Sequence, residues 1–205
     1  MNTLRAALTA STAAFGLALA VVPLSTTAAA TETPEPAFLS ADEMPPSSTP
    51  WTAEPVADGL PEFGVLCAPD AFKAEGTRHR TFRTELDTGG EQVTTVAATE
   101  AEAAALVTTL RRALLSCGDR IEREYPDWDA TSRPHGKLRV EDGAYVYSLD
   151  TVNREVGSKD IHLMSVGRDG RTVTYVKWGQ LGWLKDAPVN DFRWTTRVAV
   201  HKLYR

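Results

Sequence analysis

Four histidines, an Asp-Trp-Asp triplet and two cysteines are the residues of this chain whose types could do chemistry, and their spacing limits how much. His79, His135, His162 and His201 stand far apart. None has a second imidazole one helical turn away, so the sequence offers no local zinc pair. His135, between Pro134 and Gly136, sits in a segment that reads as loop; His162 falls mid-strand and could face either way. Asp127 and Asp129 flank Trp128. Two carboxylates beside an aromatic suit a sugar, a calcium ion or the acid pair of a glycoside hydrolase. A hydrolase needs those carboxyls at a set gap in space, which adjacency in sequence does not supply. The triplet also lacks the glycine and distal glutamate of a calcium loop. No Gly-x-Ser-x-Gly string marks a nucleophile elbow. These residues imply no catalytic constellation, no metal site and no cofactor.

The remaining chemistry-bearing pair is Cys67 and Cys117, and its meaning depends on compartment. One basic residue, Arg5, precedes an uncharged stretch from Ala6 to Leu24, and small residues run from Ser25 to Ala30. That order is the pattern of a secretory signal peptide at residues 1–30. The alternative, a membrane anchor, fits less well because the stretch is diluted with Ala, Ser and Thr and carries Pro23 near its end. No cysteine precedes Cys67, so a lipid anchor at the leader has no attachment residue. A secreted chain with two cysteines has one possible pairing, so Cys67–Cys117 is expected as a disulfide and not as a thiol nucleophile or metal pair.

Cleavage after Ala30 leaves 175 residues, enough for one domain with a substantial core. Arg5 is the only charge removed, so the remainder carries 21 basic and 27 acidic side chains and a net charge of −6. A mildly acidic chain without a Lys/Arg block is a poor match for nucleic acid or an anionic membrane surface.

The elements that must position these residues follow from pattern. Residues 31–36 read as a flexible, proline-broken linker, and the domain as residues 37–205. Ser40 and Glu43 fit a capping box with Leu39 and Met44 as its staple, and Pro45-Pro46 ends that turn. A proline-rich wrap follows through residue 70, pinned by Trp51, Leu60, Phe63, Val65 and Leu66. Residues 79–98 read as a hairpin turning at Asp87-Thr88-Gly89-Gly90, with its Arg and Glu side chains on a solvated face. Thr99 and Glu102 open a helix running to Ser116, with Leu106, Leu110, Leu114 and Cys117 on one stripe and Gly118 as terminator. Residues 118–136 read as irregular. Strands return at 137–140, 144–149 and 160–167, and Asp169-Gly170 turns the last of these into 172–178. Residues 188–204 repeat apolar side chains at helical spacing, although their Thr and Val content also suits a strand. The sum is an α+β single domain: an antiparallel sheet with helices packed on one side of it and one disulfide.

Aromatic residues collect late in the chain. Tyr175, Trp178, Trp183 and Trp194 are candidates to line a ligand cleft, with Gly179 and Gly182 loosening its rim, while each of them also reads as core.

The order of these signals is similar to the PknH-like extracellular sensor domain family. The shared pattern is the leader, the Leu39-Ser40-Ala41-Asp42-Glu43 turn, the Pro-rich wrap with Cys67, a hairpin, an Ala/Leu-rich helix leading to Cys117, a strand-rich half and a closing helix. That resemblance covers residues 37–205. It implies a non-catalytic, sensor-type domain with a cleft for a ligand, found outside bacterial kinases and as stand-alone secreted proteins. The chain has no kinase domain and one cysteine pair where some members have two. The expectation is a secreted binding module whose partner is a small molecule, a cell-wall fragment or a protein, with no nucleic acid. The alternatives are an envelope interaction module displaying the Trp178–Trp194 region and a hydrolase using Asp127 and Asp129 near His135.

Overall fold

The computed structural model describes residues 35–204. The leader at 1–30 and most of the linker at 31–36 lie outside the described residues. Eight strands form one antiparallel sheet: β1 (Thr52–Ala53), β2 (Ala57–Asp58), β3 (Thr77–Arg83), β4 (Gly89–Val96), β5 (Trp128–Leu138), β6 (Ala144–Asn153), β7 (Lys159–Asp169) and β8 (Thr172–Leu181). Their order across the sheet is β1-β3-β4-β8-β7-β6-β5, with β2 also on β3. Three helices accompany it: α1 (Glu100–Leu115), α2 (Cys117–Glu124) and α3 (Val189–His201).

The sheet is covered on both faces, which corrects the expectation of helices on one side. Alternation along a strand sends successive side chains to opposite faces. On β7, Met164 and Val166 meet α1, while Ile161 and Leu163 join the core beneath α3. On β8, Val173 and Tyr175 go to the first face, Val176 and Trp178 to the second. Strands buried on both faces cannot show the apolar-in, polar-out signature that a half-covered sheet would. This is why β4 carries Glu91 and Gln92 as buried residues where a solvated face was expected.

Local signals hold where capping chemistry is strong. Thr99 Oγ1 accepts from the Glu102 amide at 3.1 Å, and Glu102 Oε2 reaches back to the Ala98 amide at 3.2 Å. The Ser40 amide donates to Glu43 Oε2 at 2.7 Å, closing a short 3-10 turn, Ala41–Glu43. That turn is sewn to α3 and to the sheet face beneath it. Thr195 Oγ1 of α3 donates to the Glu43 carbonyl, and the Leu39 amide donates to buried Gln92 Oε1 of β4. The C-terminal pattern is helical, with Phe192, Ala199 and Val200 fully buried against the sheet.

Residues 118–136 are not irregular. They form α2 and most of β5, and Gly118 does not terminate a helix but lets α2 approach β5. A Cβ there would stand 2.8 Å from the Ala130 carbonyl oxygen and 3.0 Å from the Ser132 amide. Pro134 is tolerated inside β5 because β5 is an edge strand and needs no outward donor. The ladder slips between Pro134 and Lys137, a bulge with Gly136 at φ +90°. Both hairpins also shift in register. The β7–β8 turn is Gly170-Arg171, since Asp169 pairs with Thr172 and Gly170 takes φ +51°.

Cys67 and Cys117 are bonded, with Cα atoms 5.3 Å apart. The bridge ties the Pro-rich wrap to the first residue of α2. Cys67 itself takes φ +69°, a left-handed conformation that costs a non-glycine residue energy and that the surrounding structure must hold.

Candidate functional site

α1 covers the β7–β8 hairpin near its turn, and α2 covers β5 and β6. The opposite ends of β3, β4, β8 and β7 extend beyond both helices. Their floor is flattened by Gly89 paired with Gly179, so two neighbouring strands present no side chain at that point. The wrap at residues 61–63 forms the outer wall. The result is a polar chamber of about 730 Å³.

Its charged groups stand in register. Glu91 pairs with Lys177 across β4 and β8, and Lys177 Nζ lies 3.2 Å from Glu91 Oε2. Glu91 is only 7% exposed, and its other oxygen, Oε1, is buried without a hydrogen-bond partner among the described residues. Burial pushes the Glu91 carboxyl above its ordinary range, and the charge of Lys177 only partly offsets this. His162 follows on β7 opposite Gly179, and its Nδ1 is also buried without a partner among the described residues. Gly179 is required here, because a Cβ would fall 2.4 Å from that nitrogen. Burial, assisted by the positive charge of Lys177, drives the His162 pKa down to about 4, so the ring is neutral near pH 7. Each buried polar atom left unpaired costs about 1–3 kcal/mol, so two in one chamber mark a place where the fold is not optimised for itself.

Asp160 and His162 also line a second chamber of about 390 Å³. It is apolar, built from Leu66, Ile121, Tyr125, Trp128 and Leu149. Tyr125 and Trp128 are tilted against each other with ring centroids 6.5 Å apart. The disulfide frames this chamber, since Leu66 precedes Cys67 and Ile121 lies one turn beyond Cys117. A polar chamber and an apolar chamber thus share one wall on one face of the sheet.

The residues expected to carry function are distributed differently. Tyr175 and Trp178 are fully buried on opposite faces of β8 and do not meet. Trp183 and Trp194 are half-exposed, at 44% and 51%. Trp183 sits beside a hollow on the α3 face with Asp129, Arg133, Asp150 and Leu184. Most charges of that hollow are already paired: Arg133 bonds Asp150, Arg154 lies 3.4 Å from Asp129, and the Leu184 amide donates to Asp150 Oδ1, while Lys185 on its rim has no ion pair among the described residues. Asp129 and Trp128 point to opposite faces, so the triplet is split by the pleat, and the aromatic enters the apolar chamber without its carboxylate neighbour. His135 lies six residues along β5 from Asp129, about 20 Å at the rise of a strand. His135 Nε2 instead meets the buried Ser148 hydroxyl at 2.9 Å, and burial followed by Arg193 and Arg133 lowers its pKa.

Sequence reading passed over Glu91, Lys177, Asp87 and Asp160. The signal that points to them is a charged residue inside an apolar strand beside glycine, as in Val176-Lys177-Trp178-Gly179 and Gly89-Gly90-Glu91. Among the described residues no group of three or more His, Cys, Asp or Glu is close enough to hold a metal ion, and no helix is long and apolar enough to cross a membrane. No family model matches the chain, and no curated protein matches it.

Proposed function

We propose that the chain is an exported ligand-binding module of the PknH-like sensor type, released from a leader at residues 1–30, and that its cleft is the paired chamber on the α1 and α2 face. The observation that carries this reading is the coincidence of two unpartnered buried polar atoms, Glu91 Oε1 and His162 Nδ1, with an adjoining aromatic-lined apolar chamber. Ligand sites combine apolar walls with a few convergent polar groups, and this cleft has both. The disulfide supports export, since such bonds persist in oxidising compartments. It also gives the cleft a rigid wall, which reduces the ordering cost of binding.

The test is titration with N-phenylnaphthylamine, an uncharged probe that fluoresces when enclosed in apolar surroundings. Saturable binding is expected. It weakens about ten-fold in Ile121→Trp, which fills the apolar chamber, and in Tyr125→Ala, which removes its aromatic wall. No binding, or binding that neither variant alters, would overturn the reading.

A further inference from the structure

We propose that the ligand of this cleft is an organic cation: an ammonium group carried on an apolar body, with the ammonium at Asp160 and the body against Tyr125 and Trp128. This inference rests on the cleft reading above and adds the ligand's charge to it.

The polar chamber is lined by five carboxyl groups and two permanent cations. Both cations are already engaged: Arg83 pairs with Glu54, and Lys177 pairs with Glu91. Glu62, Asp87 and Asp160 have no ion-pair partner among the described residues. Two of these acids are brought together by the backbone. Asp87 Oδ2 accepts from the Leu181 amide at 2.9 Å, and Leu181 is the residue directly opposite Asp160 in the β7–β8 ladder. The charge of Asp87, added to burial, raises the Asp160 carboxyl above its ordinary range. The fold therefore holds two like charges near each other in the polar chamber, with Asp160 at its boundary with the apolar one and neither acid ion-paired among the described residues.

The deeper wall adds no positive charge to oppose these acids. Glu91 is already paired with Lys177, the His162 ring is neutral, and Glu91 Oε1 and His162 Nδ1 lie closed off within that wall without a partner among the described residues. The unpaired acids therefore set the sign of the chamber, which favours an ammonium and disfavours a carboxylate or phosphate. Asp160 lines the apolar chamber as well, so a cation held by it has its substituent directed toward Leu66, Tyr125 and Trp128. Aromatic faces attract cations, which gives the apolar chamber the same preference as the carboxylates. The acids are too dispersed to form a metal-binding group, which favours an extended organic cation over an inorganic one.

Isothermal titration of the domain with octylammonium, octanol and octanoate at low ionic strength and neutral pH tests this directly. Octylammonium is expected to bind about ten-fold more tightly than octanol, with octanoate weakest. In Asp87→Asn/Asp160→Asn the preference of ammonium over alcohol is expected to vanish while octanol binding persists. The wild-type series needs no variant, so a folding defect in the double variant does not protect the inference. Equal binding of all three probes, or tighter octanoate, overturns the inference and leaves the cleft reading standing. Binding of none of the three overturns both.

Discussion

His162 shows what the cleft costs the domain. Its folded pKa of about 4 lies below the ordinary histidine value of 6.5, so between those pH values the unfolded chain binds a proton that the folded chain refuses. Stability therefore rises with pH across that window, and what is present above pH 6.5 is lost as pH falls through 4. The size is about 3 kcal/mol. Glu91 acts with the opposite sign: its raised pKa gives stability at low pH that is lost as pH rises. The His162 contribution is thus best measured as the difference between wild type and His162→Gln in urea melts from pH 7 to pH 4. The expected result is a difference that changes by up to about 3 kcal/mol in favour of the variant on acidification. A constant difference would mean that the ring is solvated. Gly179→Ala probes the same contact by sterics. It is expected to lower stability by about 1–3 kcal/mol and to weaken probe binding, because the imidazole it displaces lines both chambers.

At the scale of elements, the capped helix α1 and the β7–β8 hairpin were legible because local chemistry decides them. Thr99 and Glu102 satisfy orphan amides within a few residues, and a glycine between two strand-like runs needs no tertiary help. α2 and β5 were not legible, because what makes them is distant. α2 has one large apolar residue, Ile121, and is held by its bridge and by close approach to β5. Gly118→Ala is accordingly expected to cost about 1–3 kcal/mol in thermal or chemical denaturation, where a terminator glycine in the same place would resist substitution only through its backbone angle. The site was hardly legible at all. Alternation that looks like a solvated surface buries Glu91 and half-buries Lys177, because distant segments cover that face of β4 and β8, and such cover is not written in any one strand. The late aromatics were visible as a group, yet a period of two sends Tyr175 and Trp178 to opposite cores.

The whole molecule is organised around the bridge. Cys67–Cys117 closes a loop of 50 residues, and constraint of the unfolded chain on that scale is worth about 4 kcal/mol. Reduction, or Cys67→Ala/Cys117→Ala, is expected to lower stability by up to that amount. It should also weaken N-phenylnaphthylamine binding at temperatures where the sheet is intact, since Leu66 and Ile121 lose their common anchor. If binding survives unchanged in the folded double variant, the bridge serves stability alone. The outer edge of the sheet carries its own protection: β5 presents Pro134, Arg133 and Lys137 and a bulge, features that discourage pairing with another chain.

Strand β8 joins two groups of strands that otherwise do not touch, β1 to β4 on one side and β5 to β7 on the other. It is also the last strand to be made. A polypeptide emerging from its N-terminus therefore holds two incomplete half-sheets, each with an open inner border, until residues 172–181 arrive. Both cysteines are already out by then, so oxidation can precede assembly of the sheet's centre and fasten the early segments while they wait. Nascent chains stopped before β8 should remain open to protease, and chains extended through α3 should become resistant in one step.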